Sequence, residues 1–181
     1  MCSSDLHAID LVRQINNLKK GIYLDPELKN STPLDFCVGV AGYPEKHAEA
    51  PNIETDLCYL RQKVEAGADY IVTQMFFDNQ VYFDFVNKCR EMGITVPIIP
   101  GIKPIALMNQ LTVLPKIFSI SLPPALSKAL HGCKTDEEAR RAGTEWAISQ
   151  ARELIATGVP GLHIYTYGLS DNVREIAKAI F

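Results

Sequence analysis

The chain has 181 residues, 47% apolar and 22% charged, with a formal net charge of −3. That is enough length and apolar content for one globular domain with a real core, and it excludes disorder, a collagen-like repeat and a disulfide mini-scaffold. Eighteen basic residues against 21 acidic ones, with no basic run, give no argument for nucleic acid or a membrane surface. No apolar stretch approaches the roughly 18 residues of a membrane span. The first residues carry neither the basic nor the apolar region of a secretory signal. Five widely spaced cysteines without a C-x-x-C pair argue against zinc and against a disulfide framework, and a reducing cytoplasm fits them best.

In chain order, residues 7–18 read as a helix striped by Ile9, Val12 and Ile15, followed by a polar loop with turn signals at Asp25-Pro26 and Thr32-Pro33. Phe36-Cys-Val-Gly-Val-Ala41 reads as a buried strand. Asn52 caps the next helix, Ile53, Leu57, Leu60 and Val64 recur at helical spacing, and Gly67 ends it. Tyr70–Phe77 is a second strand. Tyr82, Phe85, Val86 and Cys89 stripe a second inner helix that stops at Gly93. Pro97–Ile102 is a third strand, and Leu107, Leu111 and Leu114 mark a short helix before Pro115. Lys116–Leu122 alternates apolar and polar, so another strand is allowed there. Thr135-Asp-Glu-Glu138 reads as a capping box opening the longest helix, with Ala139, Trp146, Ala147, Ala151 and Leu154 inward. Leu162–Thr166 is a fourth strand. Ser170 then caps a last helix with Val173, Ile176 and Ile180 inward. Cys37 and Cys89 are expected buried and inert, and His163 is expected to be a packing residue inside its strand.

Alternating strands and helices imply a parallel sheet, either doubly wound or part of a barrel. A closed eight-stranded barrel needs about 250 residues, so the chain is a small doubly wound domain or a piece of a barrel. Ligands in such sheets bind at the carboxyl ends of the strands. The polar residues there are Tyr43, Glu45 and His47 on the first strand, and Thr73, Gln74 and Asp78 on the second. Lys103 follows the third, and Tyr165, Thr166 and Tyr167 the fourth. No phosphate-binding glycine motif, nucleophile elbow or metalloprotease motif is present, and the four histidines lack metal-ligand spacing. Tyr43 and His47 taken singly read as turn and surface residues. Gln74 is odder, a neutral amide inside the apolar run Ile71–Phe77. A buried amide needs hydrogen-bond partners, which either the protein or a ligand can supply.

Five motifs in fixed order resemble the methylenetetrahydrofolate reductase family. They are Val40-Ala-Gly-Tyr-Pro-Glu-Lys-His-Ala-Glu-Ala50, then Asp56 with Lys63-Val-Glu-Ala-Gly-Ala68, then Ile71-Val-Thr-Gln-Met-Phe-Phe-Asp78, Pro97-Ile-Ile-Pro-Gly-Ile102 and Gly161-Leu-His-Ile-Tyr-Thr166. The resemblance implies a (β/α)8 TIM barrel that binds FAD. NAD(P)H reduces the flavin, which passes a hydride to 5,10-methylenetetrahydrofolate and yields 5-methyltetrahydrofolate. It assigns Tyr43, His47, Glu49 and Ala50 to the loop around the flavin cofactor. Asp56 and Lys63 reach its ribose and phosphates from one helix face, and Gln74 bonds the folate pterin. Metal ligands are not implied.

Several positions depart from the family pattern. Ala48 stands where Pro is frequent, Tyr59 and Gln62 where Asn and Arg occur, Met108 where a Phe occurs, and Leu169 where a basic residue faces the folate tail. By motif order the chain corresponds to the C-terminal portion of the barrel, a partial barrel lacking its first four strands. The family's catalytic Glu and the Asp beside the flavin ring belong to that missing part, so no catalytic residue is assigned here. Residues 1–6 read as a non-native leader and 7–181 as the barrel portion. A fragment of this kind is expected to be inactive alone, and its open strand edges invite homo-oligomers. The alternative is a non-catalytic α/β module that binds a nucleotide or a pterin.

Overall fold

The computed structural model describes residues 7–166 and 170–181. Residues 1–6, together with Tyr167 and Leu169, lie outside the described residues. The helix α1 (Ala8–Lys19) leads into a long loop and the strand β1 (Gly39–Gly42). Then come α2 (Ile53–Glu65), β2 (Tyr70–Thr73), α3 (Asn79–Glu91), β3 (Ile98–Ile99) and β4 (Gly101–Ile102). The remainder is α4 (Gln110–Phe118), α5 (Pro124–His131), α6 (Asp136–Ala156), β5 (His163–Ile164) and α7 (Asp171–Ile180).

Local chemistry sets both ends of α2, α3 and α6. Asn52 Oδ1 accepts the Thr55 N–H at 2.8 Å, Asp78 Oδ1 accepts from Gln80 at 3.0 Å, and Thr135 Oγ1 accepts from Glu138 at 3.2 Å. Glu138 does not return the bond to Thr135. Its carboxylate takes the Lys134 N–H at 2.7 Å, one residue further out. Gly67, Gly93 and Gly158 sit at positive φ just past α2, α3 and α6, the backbone that ends a helix with least cost in glycine.

All strand pairs are parallel. β1 lies against β2 in the register Gly39↔Tyr70 to Gly42↔Thr73, β2 against β3 at Ile71↔Ile98, and β4 against β5 at Gly101↔His163. Pro100 separates β3 from β4. Lacking an N–H, it interrupts the ladder, and the chain passes from its pairing with β2 to its pairing with β5. Two bonds close the gap: the Gly101 N–H donates to Thr73 Oγ1 and the Tyr165 hydroxyl donates to the Thr73 carbonyl, both at 2.9 Å. Among the described residues, strand order follows chain order in both sheets, with no reversal.

Two apolar clusters flank this sheet. One joins Val40, Ile71, Ile98 and Ile102 to the inward faces of the helices, including Leu57, Phe85 and Leu154. The other joins Met75 and Phe77 to Ile105, Leu114, Leu126 and Leu130. The run after β2 therefore divides its side chains between the clusters, Phe76 joining the first.

Several sequence expectations need correction. The first strand starts at Gly39 and not at Phe36, because the Val38 N–H is taken by the Asp69 carboxylate at 2.7 Å and no neighbouring strand pairs before it. Phe36 is thus 39% exposed, and Cys37 is exposed, not buried, whereas Cys89 is fully buried as expected. The second strand ends at Thr73, level with the point where Pro100 interrupts its neighbour. The short helix runs through Pro115 to Phe118 and ends where Ser119 turns left-handed at φ +52°, so Lys116–Leu122 forms no strand. α5 was not foreseen. His163 is exposed and packs edge-on against Tyr165, with ring centroids 4.5 Å apart.

Candidate functional site

The loop between β1 and α2 gathers most of the expected residues at the carboxyl end of the sheet. Tyr43 leaves β1 and meets His47 edge-on, ring centroids 4.6 Å apart. The Asp56 carboxylate, in the first turn of α2, accepts the His47 backbone N–H at 2.8 Å. Lys63, two turns further along α2, folds back so that Nζ donates to the Ala41 carbonyl at 2.8 Å. Tyr43, Asp56 and Lys63 also border one small void together with Gly42. Burial lowers the Lys63 ammonium below its ordinary range, an effect that the Asp56 charge opposes. The Tyr43 hydroxyl is held above its ordinary range by burial first, then by the Asp56 and Glu49 charges.

His47 and Glu49 interact through the backbone. His47 Nδ1 accepts the Glu49 N–H at 3.2 Å, so the proton of the neutral ring sits on Nε2. The Glu49 carboxylate, 4.0 Å from that same Nδ1 and 90% exposed, therefore makes no true salt bridge. Ala50 is buried at 8% exposure. Glu45 grips the far side of the rim, both carboxylate oxygens accepting the Ser121 N–H at 2.9 Å.

Gln74 stands one strand over. Its N–H donates to the Gly42 carbonyl at 2.8 Å, which fixes it beside the exit of β1. The side chain is half-buried, and Oε1 accepts the following Met75 N–H at 2.9 Å, so the amide has a local partner that fixes its orientation. Thr73 and Asp78 are absorbed by structure: the first ties β4 to β2, the second caps α3.

Lys103, noticed in the sequence only as a polar residue at a strand end, lies directly after β4 and is 3% exposed. Its signal was a single lysine inside the apolar stretch Pro97–Ala106. Burial brings its ammonium down to about 8 from 10.5. Between those values the folded chain binds fewer protons than the unfolded chain, so this group makes stability rise with pH across that window. Relative to wild type, Lys103→Met should therefore lose about 3 kcal/mol of advantage between pH 7.5 and pH 10.5. Tyr82 and Cys89, both pushed up to about 12 by burial, act in the opposite direction above about pH 9 but cancel in the comparison. Urea titrations of both proteins at the two pH values measure this, and a gap that does not change with pH would show that Lys103 carries no such shift.

The chain matches the methylenetetrahydrofolate reductase family over residues 3–180. The chain belongs to that family. Among its relatives, a probable methylenetetrahydrofolate reductase (NADPH) of Caenorhabditis elegans is 40% identical over 147 residues, covering 80% of this chain and 22% of the relative. A probable methylenetetrahydrofolate reductase (NADH) of Oryza sativa is 37% identical over 179 residues, 93% of this chain and 28% of the relative. The 5,10-methylenetetrahydrofolate reductase of Buchnera aphidicola is 31% identical over 180 residues, 99% of this chain and 56% of the relative. The chain thus spans about a quarter of the eukaryotic relatives and about half of the bacterial one. A solved structure from Clostridium thermocellum, described as binding two copies of 5-methyl-5,6,7,8-tetrahydrofolic acid, shares the fold. Its TM-score is 0.52 at 19% identity, over 81% of this chain and 53% of the other. Both NADPH and NADH occur among the relatives' names, so family membership alone leaves the dinucleotide open.

Proposed function

We propose that this chain forms one side of the flavin and folate site of a methylenetetrahydrofolate reductase, as an arc of a (β/α)8 barrel. The observation that carries the reading is the convergence of Tyr43, His47, Asp56 and Lys63 on one rim, with Gln74 on the adjacent strand. The arc is supported by parallel strands that follow one another in chain order without a switch point.

The donor set fits FAD. Lys63 brings an ammonium for a pyrophosphate, Asp56 a carboxylate beside it for ribose hydroxyls, and Tyr43 with buried Ala50 an apolar wall. Bound there, the flavin supplies a two-electron carrier between NAD(P)H and 5,10-methylenetetrahydrofolate. Lys63, now bonded to the Ala41 carbonyl, would hold the phosphates by charge. Asp56 keeps the His47 backbone in place, and His47 Nε2–H remains a donor toward the rim. Gln74 offers an amide whose N–H2 and oxygen match the mixed donor and acceptor edge of a pterin. The second reading is a non-catalytic α/β module that binds a nucleotide or a pterin, supported by the same convergence of polar side chains on the rim. The cytoplasm, where thiols stay reduced, suits the free cysteines of this reading.

Equilibrium dialysis of the full chain against FAD tests the proposal. Wild type should bind, and Lys63→Met should weaken binding by about tenfold or more, since a charge-assisted phosphate contact is worth about 1.5–3 kcal/mol. Equal affinity of the two proteins would remove Lys63 from the phosphate role. NAD(P)H oxidation with added methylenetetrahydrofolate separates the readings: turnover by this chain would overturn the binding-only module.

A further inference from the structure

Lys46 has a backbone that its side chain does not favour. Its φ is +109°, and among the described residues Ser119 is the other non-glycine at positive φ. Its side chain is half-buried and curls over the loop that follows. Nζ donates to the carbonyls of His47 at 3.0 Å, Ala48 at 3.5 Å and Ala50 at 2.6 Å. Three carbonyl dipoles aimed at one point repel one another, and a cation at that point turns the repulsion into attraction. Glycine would adopt the backbone without strain but would leave the carbonyls without a shared cation. The loop's other ties are Lys46 N–H to the Tyr43 carbonyl at 3.2 Å, Ala50 N–H to the His47 carbonyl at 3.1 Å, Glu49 N–H to His47 Nδ1 at 3.2 Å, and the Asp56 contact to His47.

We infer that Lys46 is a positioning residue: its ammonium, held by the carbonyls of His47, Ala48 and Ala50, folds the 47–50 loop into the shape that receives the flavin. It acts through the backbone of His47, Ala48 and Ala50. The flavin half of this statement rests on the function proposed above. The loop half concerns the chain by itself.

The test uses the full chain with Lys46→Gly and Lys46→Met. Glycine relieves the backbone strain and methionine keeps the stem, yet both lack the ammonium. The first readout needs no flavin: the NMR shifts of the His47 ring protons, which feel the Tyr43 ring. In both variants these should move toward the values of an unstructured histidine. Methylammonium added to Lys46→Gly should bring them back, whereas tetramethylammonium, which has no N–H, should not. The second readout is FAD affinity, which should fall about tenfold in both variants and recover with methylammonium in Lys46→Gly. His47 shifts unchanged in both variants would overturn the inference, as would a loss in Lys46→Gly that methylammonium cannot restore. Wild type failing to bind FAD would overturn the flavin reading, and the His47 signal would still decide the role of Lys46.

Discussion

Gly143→Ala should destabilise the domain by about 3 kcal/mol or more, although alanine is the better helix former by about 1 kcal/mol. Gly143 lies on the buried face of α6, where a Cβ would stand 2.1 Å from the Ile105 carbonyl oxygen and 2.8 Å from its carbon. Backbone cannot swing aside as a side chain can, and the stretch Gly101–Ala106 is buried throughout. The clash is therefore relieved only by moving α6 off the strand exit, which loosens Ala139 and Ala147, 0% and 1% exposed on the same face. Gly39→Ala is the contrast. Its Cβ would meet the Tyr70 ring, a half-buried side chain with freedom to move, and the cost should be small. Urea unfolding of the two variants decides the matter. A Gly143→Ala protein within about 1 kcal/mol of wild type would mean that α6 and residue 105 are not packed backbone to backbone.

Gln74→Leu should separate the two ligands of the proposed site. The substitution keeps approximate volume and removes the amide, and β2 should still form, because its pairing is backbone to backbone on both sides. The Met75 N–H loses its local acceptor, so some stability is lost as well. Binding of 5-methyltetrahydrofolate should weaken by about tenfold, the consequence of leaving pterin polar groups unpaired, while FAD affinity should change by less than about twofold. Isothermal titration of the full chain with each ligand measures both. Equal losses for the two would place Gln74 on the flavin loop or in folding. No loss for either would make it a structural amide satisfied by Met75, the plain reading the sequence left open.

How much of this was legible varied with distance along the chain. The helix caps at Asn52 and Thr135 were readable because a cap is a bond between a side chain and a backbone N–H three residues on. The apolar part of the inward face of α6 was readable from helical spacing, but its buried Gly143, Thr144 and Gln150 were not. The small size of Gly143 matters through the Ile105 carbonyl, which no local pattern reveals. The apolar run Ile71–Phe77 looked like one long strand. Only the neighbouring Pro100 shows where pairing stops and Met75 and Phe77 turn to a second cluster.

The family follows from the sequence alone, because five short motifs in a fixed order carry the resemblance and the family match spans residues 3–180, and the parallel class follows from the alternation of strand and helix patterns. The tertiary structure decided where the side chains of those motifs go. Lys63 folds back to the Ala41 carbonyl 22 residues earlier, and Asp69 takes the Val38 N–H across 31. Lys103 is buried, and Cys37 exposed, by elements distant in the chain. A side chain's partner depends on which atoms lie within about 3 Å, and for residues far apart in sequence only the packing of the sheet and helices sets that distance.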